Sequence, residues 1–295
     1  HDEERNISSL LDRLAAQSLD RVRIAEIIVV ASGCSDATES IVEQCAARIP
    51  RVRLISEDKR RGKAEAVNRF ISEASSEILV VVGADTLPEL DAVEMLVSAA
   101  AAPGAGMAGA RPVPLNSRDS FTGYIVHFLW ELHHQLALKT PKCGEMIAFK
   151  KVFRALPEDT VVDEPQIEAL VRGAWLDVVY EPRAVVYNLG PSSLREIVMR
   201  RSSIVAGYMR LARRTPYRVS TQQHRWWLIS FVAKKVIRRE APLFKTLGAV
   251  MVELVSRFIG AWTAWFSKKP LHLWKAAEST KSPSEFNGKH RTGEH

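Results

Sequence analysis

Cysteine is scarce in this 295-residue chain: Cys34, Cys45 and Cys143, odd in number and in no metal-ligand spacing. A disulfide scaffold and a structural zinc site are thereby excluded, and a reducing compartment is expected. The eight histidines do not cluster in metal-ligand spacing either. Long uncharged apolar runs are also missing. The longest apolar stretch, Leu243–Trp265, is interrupted by Lys245, Glu253 and Arg257, so a membrane-spanning helix is not expected. The sequence opens with polar His1-Asp2-Glu3-Glu4-Arg5 rather than an apolar leader, and a cytoplasmic protein is the expectation.

Acidic residues are scarce in one region only. Residues 195–295 hold 20 Lys/Arg against 6 Asp/Glu, whereas residues 1–194 hold 21 against 28. A basic end of this kind suits anionic lipid headgroups, nucleic acid or phosphorylated ligands, and a solvated charged face stays open. No recognition module with interleaved aromatics accompanies it, so a nucleic-acid partner is not expected.

What is present in the first hundred residues is alternation. Asn6 to Ala16 places apolar residues at Ile7, Leu10, Leu11, Leu14 and Ala15, a helical stripe. Ile27–Val30 reads as a buried strand, followed by a loop in which Asp36 caps a helix over 37–49. A strand at Val52–Ile55, a helix over 64–73 and a strand at Ile78–Val82 follow. This order predicts an α/β fold with a mostly parallel sheet flanked by helices, and ligands beyond the carboxyl ends of the strands. Such a fold normally opens on a strand, so a further strand ahead of the first helix is expected. Helices are predicted over 121–138, 195–214, 226–239 and 243–265, and a strand over 178–186 broken at Glu181-Pro182. The 243–265 helix sets Leu243, Leu247, Val250, Met251, Leu254, Phe258, Ala261, Trp262 and Trp265 on one face. With Lys234-Lys235, Arg238-Arg239 and Lys268-Lys269 nearby, it suits an amphipathic helix lying in a membrane surface. Packing of that stripe on the rest of the chain is the alternative.

The motifs come in a series: HDEERNI from His1, EIIVVASGCSDAT from Glu26, RGKAEAVN from Arg61 and EILVVVGADTLPE from Glu77. CGEMIAFKK from Cys143 and VVDEPQIEAL from Val161 complete it. In order and spacing this resembles the family 2 glycosyltransferases, whose common form reads roughly HNEExNI, VVDDGSTDxT, GKxxAxN, DAD and ED. The resemblance spans about residues 1–210. It implies a GT-A (Rossmann-like) fold and inverting transfer of a sugar from a nucleotide donor to an acceptor hydroxyl, with Mg²⁺ or Mn²⁺ as cofactor. Asp85 would be the metal ligand, at the last carboxylate of the DAD motif. Asp163 and Glu164 would be the catalytic pair, with Glu164 as general base and helix-dipole placement of both acids the bland alternative. Donor contacts would come from Glu3, Ser32, Arg61, Lys63, Asn68, Ala84, Arg200 and Arg201.

The chain departs from the family pattern at three places. Gly83 stands where the first DAD carboxylate belongs, Ala31-Ser32 replace two carboxylates, and Met199-Arg200-Arg201 keep only the arginines of a QRxRW motif. These three departures, with the strand missing ahead of the first helix, leave room for a nucleotide-sugar-binding or scaffolding relic with weakened or no activity. The expected partners are a nucleotide-sugar, a lipid-linked or cell-surface glycan acceptor, and the inner face of a membrane as a peripheral surface. The expected division is a catalytic domain over 1–215, a basic helical extension over 216–284 and a disordered tail over 285–295.

Overall fold

Short apolar runs between turn residues become strands here, and the amphipathic stretches between them become helices. The structure is a computed structural model that describes residues 1–266 and residue 280. The 285–295 tail and the Lys268-Lys269 pair lie outside the described residues. The first half runs α1 (Ile7–Ala15), β1 (Ile27–Ser32), α2 (Thr38–Arg48), β2 (Val52–Glu57), α3 (Lys63–Glu73), β3 (Ile78–Val82), β4 (Thr86–Pro88), α4 (Ala92–Ala101) and β5 (Ala105–Pro114). It continues with α5 (Phe121–Lys139), β6 (Met146–Lys150), α6 (Asp163–Gly173), β7 (Asp177–Asn188), α7 (Leu194–Arg214), α8 (Ser220–Gln223), α9 (Arg225–Ile237) and α10 (Leu243–Phe266).

The α/β class and the flanking helices are as expected, but the strand directions are more mixed. β1 and β2 form a parallel pair of their own, with Ile27 opposite Val52. The other five strands lie in the order β3-β6-β5-β7-β4. There only β5 and β7 run parallel, while β3–β6, β5–β6 and β4–β7 are antiparallel. The predicted break at Glu181-Pro182 does not end its strand. β7 runs through it, and the pairing with β5 absorbs the irregularity as a register shift between Gly109 and Arg111. Core side chains from α1, α2 and α4, among them Leu11, Val42 and Leu96, pack against Met146, Ala148 and Val186 of the sheet.

Three caps fix where elements near the cavity begin. Asp36 Oδ1 accepts the Thr38 N–H at 3.0 Å, so Asp36 holds the start of α2. Ser120 Oγ accepts from Gly123 at the start of α5, and Ser193 Oγ from Glu196 at the start of α7.

The last helix is packed inside out. α10 buries its small and polar residues, Thr246, Ala249, Ser256, Gly260 and Ala264. A Cβ on Gly260 would stand 2.5 Å from the Ser202 carbonyl oxygen, so α10 and α7 touch backbone to backbone there. Its large apolar residues face outward: Phe244 is 86% exposed, Phe258 70% and Trp265 67%. Among the described residues most of the predicted stripe is therefore left exposed, although the Trp265 ring lies against the Arg213 guanidinium of α7. Both mid-helix charges are neutralised on the inner side, since Arg201 of α7 makes two 2.9 Å bonds to Glu253, which also accepts from Arg257. No helix among the described residues is long and apolar enough to cross a membrane.

Candidate active site

The ends of β1 and β3, the turn ahead of α3, the start of β6 and the first turns of α6 and α7 open on one cavity of about 2140 Å³. Ser32, Ala84 and Asp85 line it from the ends of β1 and β3, Glu3 from the turn ahead of α1 and Lys63 from the start of α3. Glu145, Asp163, Glu164, Arg200 and Arg201 line it from the other elements. Residues as far apart in sequence as Glu3 and Arg201 thus meet where strand-end ligands bind in sheets of this kind.

At its centre one lysine bridges two carboxylates. Lys63 Nζ lies 2.9 Å from Asp163 Oδ2 and 3.1 Å from Glu164 Oε1. Gly62 before it has φ of +100°, a backbone few other residues adopt, and this turn presents Lys63 at the start of α3. Asp163 and Glu164 occupy the first turn of α6, the end of a helix that favours negative charge. Their environments push them apart. Burial, reinforced by the Glu164 charge, raises the Asp163 carboxyl to about 7 against the pull of Lys63. Burial opposes ionisation of Glu164 too, but Lys63 and Glu164's own backbone N–H outweigh it and hold its carboxyl below the usual range. Lys63 in turn is held charged: desolvation works against it, and the two carboxylates raise it well above an ordinary lysine. Near neutral pH the arrangement offers one ionised carboxylate and one that still carries a proton, the pattern of an acid–base pair.

At the end of β3, Asp85 folds back over Gly83. A Cβ on Gly83 would stand 2.8 Å from Asp85 Oδ1, so the missing side chain leaves a cradle that the Asp85 carboxylate occupies. Asn188, buried and in register with Thr86 across the β4–β7 pair, lines the same cavity. Its Oδ1 has no hydrogen-bond partner among the described residues.

The sequence missed Glu145. It lines the cavity and is ion-paired at 3.2 Å to Arg200. Burial pushes its carboxyl up, opposed by Arg200 and reinforced by Asp85 and Glu164. The available signal was a glutamate wedged between Gly144 and the apolar run of β6, a poor place for a charge without a partner.

Several expected donor contacts are engaged elsewhere. Asn68 gives both ends of its amide to the Leu156 backbone, donating to its O at 3.0 Å and accepting from its N at 2.6 Å. It fastens the loop before α6 and does not line the cavity, a correction to the expected role. Arg61 is exposed, and its backbone N–H reaches Ser32 Oγ at 3.4 Å. Its neighbours Arg60, Gly62 and Lys63 line the cavity instead. Arg201 lines the cavity, but its guanidinium is ion-paired to Glu253 and ties α7 to α10. Glu3 anchors the opening turn, its backbone N–H donating to Thr38 Oγ1 at 2.7 Å while its side chain accepts from Asn6. Ser32 Oγ donates to the Lys59 carbonyl at 3.3 Å.

This cavity, with a carboxylate pair on one side and an aspartate just past the end of β3 on the other, is set in a fold of the GT-A glycosyltransferase class. The chain belongs to glycosyl transferase family 2, whose sequence profile matches residues 1–155, more than half of its length. Over 101 residues it is 32% identical to a dolichyl-phosphate beta-glucosyltransferase of Trichomonas vaginalis, a match covering 32% of this chain and 30% of that protein. The chain thus spans under a third of that relative's length. In structure it resembles a mannosyltransferase of Pyrobaculum calidifontis, solved with GDP-Man and Mn²⁺, with a TM-score of 0.66 at 21% identity. That superposition covers 91% of this chain and 86% of the other.

Proposed function

We propose that this chain transfers a sugar, with inversion, from a nucleotide-diphosphate donor to an acceptor hydroxyl on a lipid-linked or cell-surface glycan precursor. The observation that carries the proposal is the Lys63 bridge, which keeps Glu164 ionised in the same cavity that Asp85 lines. Glu164 takes the proton of the acceptor hydroxyl as its oxygen attacks the anomeric carbon. The bond from that carbon to the diphosphate breaks, and the nucleoside diphosphate leaves with the electron pair. One base facing the leaving group makes this an in-line displacement. Asp163, next to the base, orients it and shares Lys63 with it.

A divalent cation, Mg²⁺ or Mn²⁺, fits the residues at the end of β3. Asp85 Oδ1 over the Gly83 cradle is a hard oxygen donor, and the unpartnered Asn188 Oδ1 lines the same cavity. When bound, such a cation supplies charge neutralisation for the leaving diphosphate. The Pyrobaculum mannosyltransferase, solved with GDP-Man and Mn²⁺, supports the same choice of donor and metal.

In this proposal residues 1–215 carry catalysis and the extension after them carries attachment, peripheral on the inner face of a membrane. The outward apolar face of α10 supports it, together with exposed Arg238, Arg239 and Ile237 at the α9–α10 corner. The Trichomonas relative, named for a dolichyl-phosphate acceptor, supports a lipid-linked one here. The test is incorporation of sugar from a UDP-, GDP- and dTDP-sugar panel into extracted membrane lipids, with Mg²⁺ or Mn²⁺ present. Incorporation supports the proposal. Nucleotide-sugar binding without transfer would favour the relic, a second reading that rests on Gly83 and Ala31.

A further inference from the structure

Position 83 follows the last residue of β3, two residues before Asp85, and carries no side chain. Asp85 Oδ1 lies over the place where one would begin, 2.8 Å from a Cβ built there. On the backbone side, the Gly83 N–H donates to the Glu145 carbonyl at 3.2 Å. That bond extends the β3–β6 ladder, whose last pair sets Val82 opposite Met146, so Glu145 is the cross-strand neighbour of Gly83. A carboxylate absent from one strand therefore stands on the next.

Glu145 is held in an unusual way. Its φ is +60°, in the left-handed region that glutamate seldom adopts. Backbone strain of this kind persists where the surroundings over-determine it, and it collects at functional sites. The side chain is 12% exposed and its Oε1 meets Arg200 Nη2 at 3.2 Å. Both Asp85 and Glu164 make themselves felt at this carboxyl. A purely structural ion pair would join β6 to α7 without needing a strained backbone or a position beside Asp85.

We propose that Glu145 supplies the second carboxylate of the divalent-cation site, from β6 across the ladder, in place of the one that position 83 lacks. Arg200 is its counter-ion until the cation arrives. The inference rests on the metal-dependent transfer proposed above and goes beyond it by naming the partner of Asp85. Cations such as Mg²⁺ and Mn²⁺ are held by one or two protein carboxylates plus phosphate oxygens and waters, so Asp85 and Glu145 together satisfy the need.

The test is Mn²⁺ affinity of the full chain, read from the electron paramagnetic resonance signal of free Mn²⁺, alone and with UDP or GDP. Glu145→Gln and Asp85→Asn are each expected to raise the Kd about tenfold or more. Arg200→Gln, which leaves Glu145 in place and removes its competing cation, is expected to tighten binding. If Asp85→Asn weakens binding while Glu145→Gln and Arg200→Gln leave it unchanged, Glu145 is only structural and this proposal fails alone. If neither carboxylate variant changes the Kd, the metal-dependent function fails with it. Should Glu145→Gln not fold, the double variant Glu145→Gln with Arg200→Gln removes both charges of the pair: a Kd about tenfold or more above that of Arg200→Gln alone is expected, and an equal Kd overturns the proposal.

Discussion

Lys63 Nζ stands 3.1 Å from Glu164 Oε1 although 101 residues separate them in the chain. The same ammonium also reaches Asp163, where burial and the Glu164 charge outweigh it, so one cation meets two neighbouring carboxylates that hold their protons differently. Glu164 stays ionised below the usual range while Asp163 keeps its proton to about pH 7. This relationship joins the turn before α3 to the first turn of α6, and it gives the cavity a base.

Removing the bridge raises the Glu164 carboxyl, because an opposite charge is lost while burial remains. Lys63→Met is therefore predicted to move the acidic limb of the pH profile of kcat/KM to higher pH. At neutral pH the rate falls about tenfold or more, as expected of a base whose ionised fraction drops. Lys63→Arg keeps the charge and restores part of the profile. An unshifted acidic limb in Lys63→Met would show that Lys63 does not act through Glu164.

Asp163 makes stability depend on pH in a defined direction. Its folded-state carboxyl titrates at about 7, against about 3.9 for an unfolded aspartate. Between those values the folded chain binds more protons, so the contribution is full below about pH 4 and is lost as pH rises through about 7. Glu145, also raised, adds to the same trend. Urea unfolding at pH 5 and pH 8 is predicted to show a fall in stability with pH that Asp163→Asn makes smaller. The same fall in both proteins would contradict the raised carboxyl.

The Arg201–Glu253 pair separates structure from catalysis. Its side chains are 23% and 18% exposed, and two bonds of 2.9 Å join them. Losing one partner leaves the other charge nearly buried, a cost of about 2 kcal/mol after allowing for the remaining solvent contact. Arg201→Met is predicted to lower the chemical-denaturation stability by that amount and to leave the donor KM unchanged. A large rise in donor KM at undiminished stability would return Arg201 to the diphosphate.

The outward face of α10 predicts a lipid surface. Vesicles with anionic lipid are predicted to carry the protein in flotation, and neutral vesicles to carry less. Because Phe258 and Trp262 are exposed, Phe258→Glu with Trp262→Glu should leave folding intact and abolish flotation. Stable self-association of the wild type in solution, with no vesicle binding, would show that a second copy covers this face instead.

Much of this arrangement was legible in the sequence. Periodicity placed α1, α2, α3, α5, α7 and α10 within a residue or two, and the short apolar runs placed β1, β2 and β3. The strands that escaped were β4, only three residues long, β5, whose Ala and Gly residues carry no strand pattern, and β6, a five-residue run that was read only as part of a motif. Their partners come from distant parts of the chain, so no local signal marks them. At the site, Asp85, Lys63, Asp163 and Glu164 were found by motif and are brought to one cavity. Asn68 and Arg201 matched their motifs as well but spend their hydrogen bonds on the Leu156 backbone and on Glu253. A motif fixes residue type, whereas the partner depends on a loop or helix over 50 residues away. Glu145 was missed for the same reason, since only the β3–β6 register sets it beside Gly83.

The central claim is a base and a leaving-group site in one cavity, and release of nucleoside diphosphate tests it most directly. The folded protein would be compared with Asp85→Ala and Glu164→Gln on a panel of UDP-, GDP- and dTDP-sugars with Mn²⁺. The predicted result is release from one donor class, abolished by Asp85→Ala and reduced about 100-fold or more by Glu164→Gln, as for loss of a general base. Release at the wild-type rate by Glu164→Gln, or no release from any donor by the folded wild type, would contradict it.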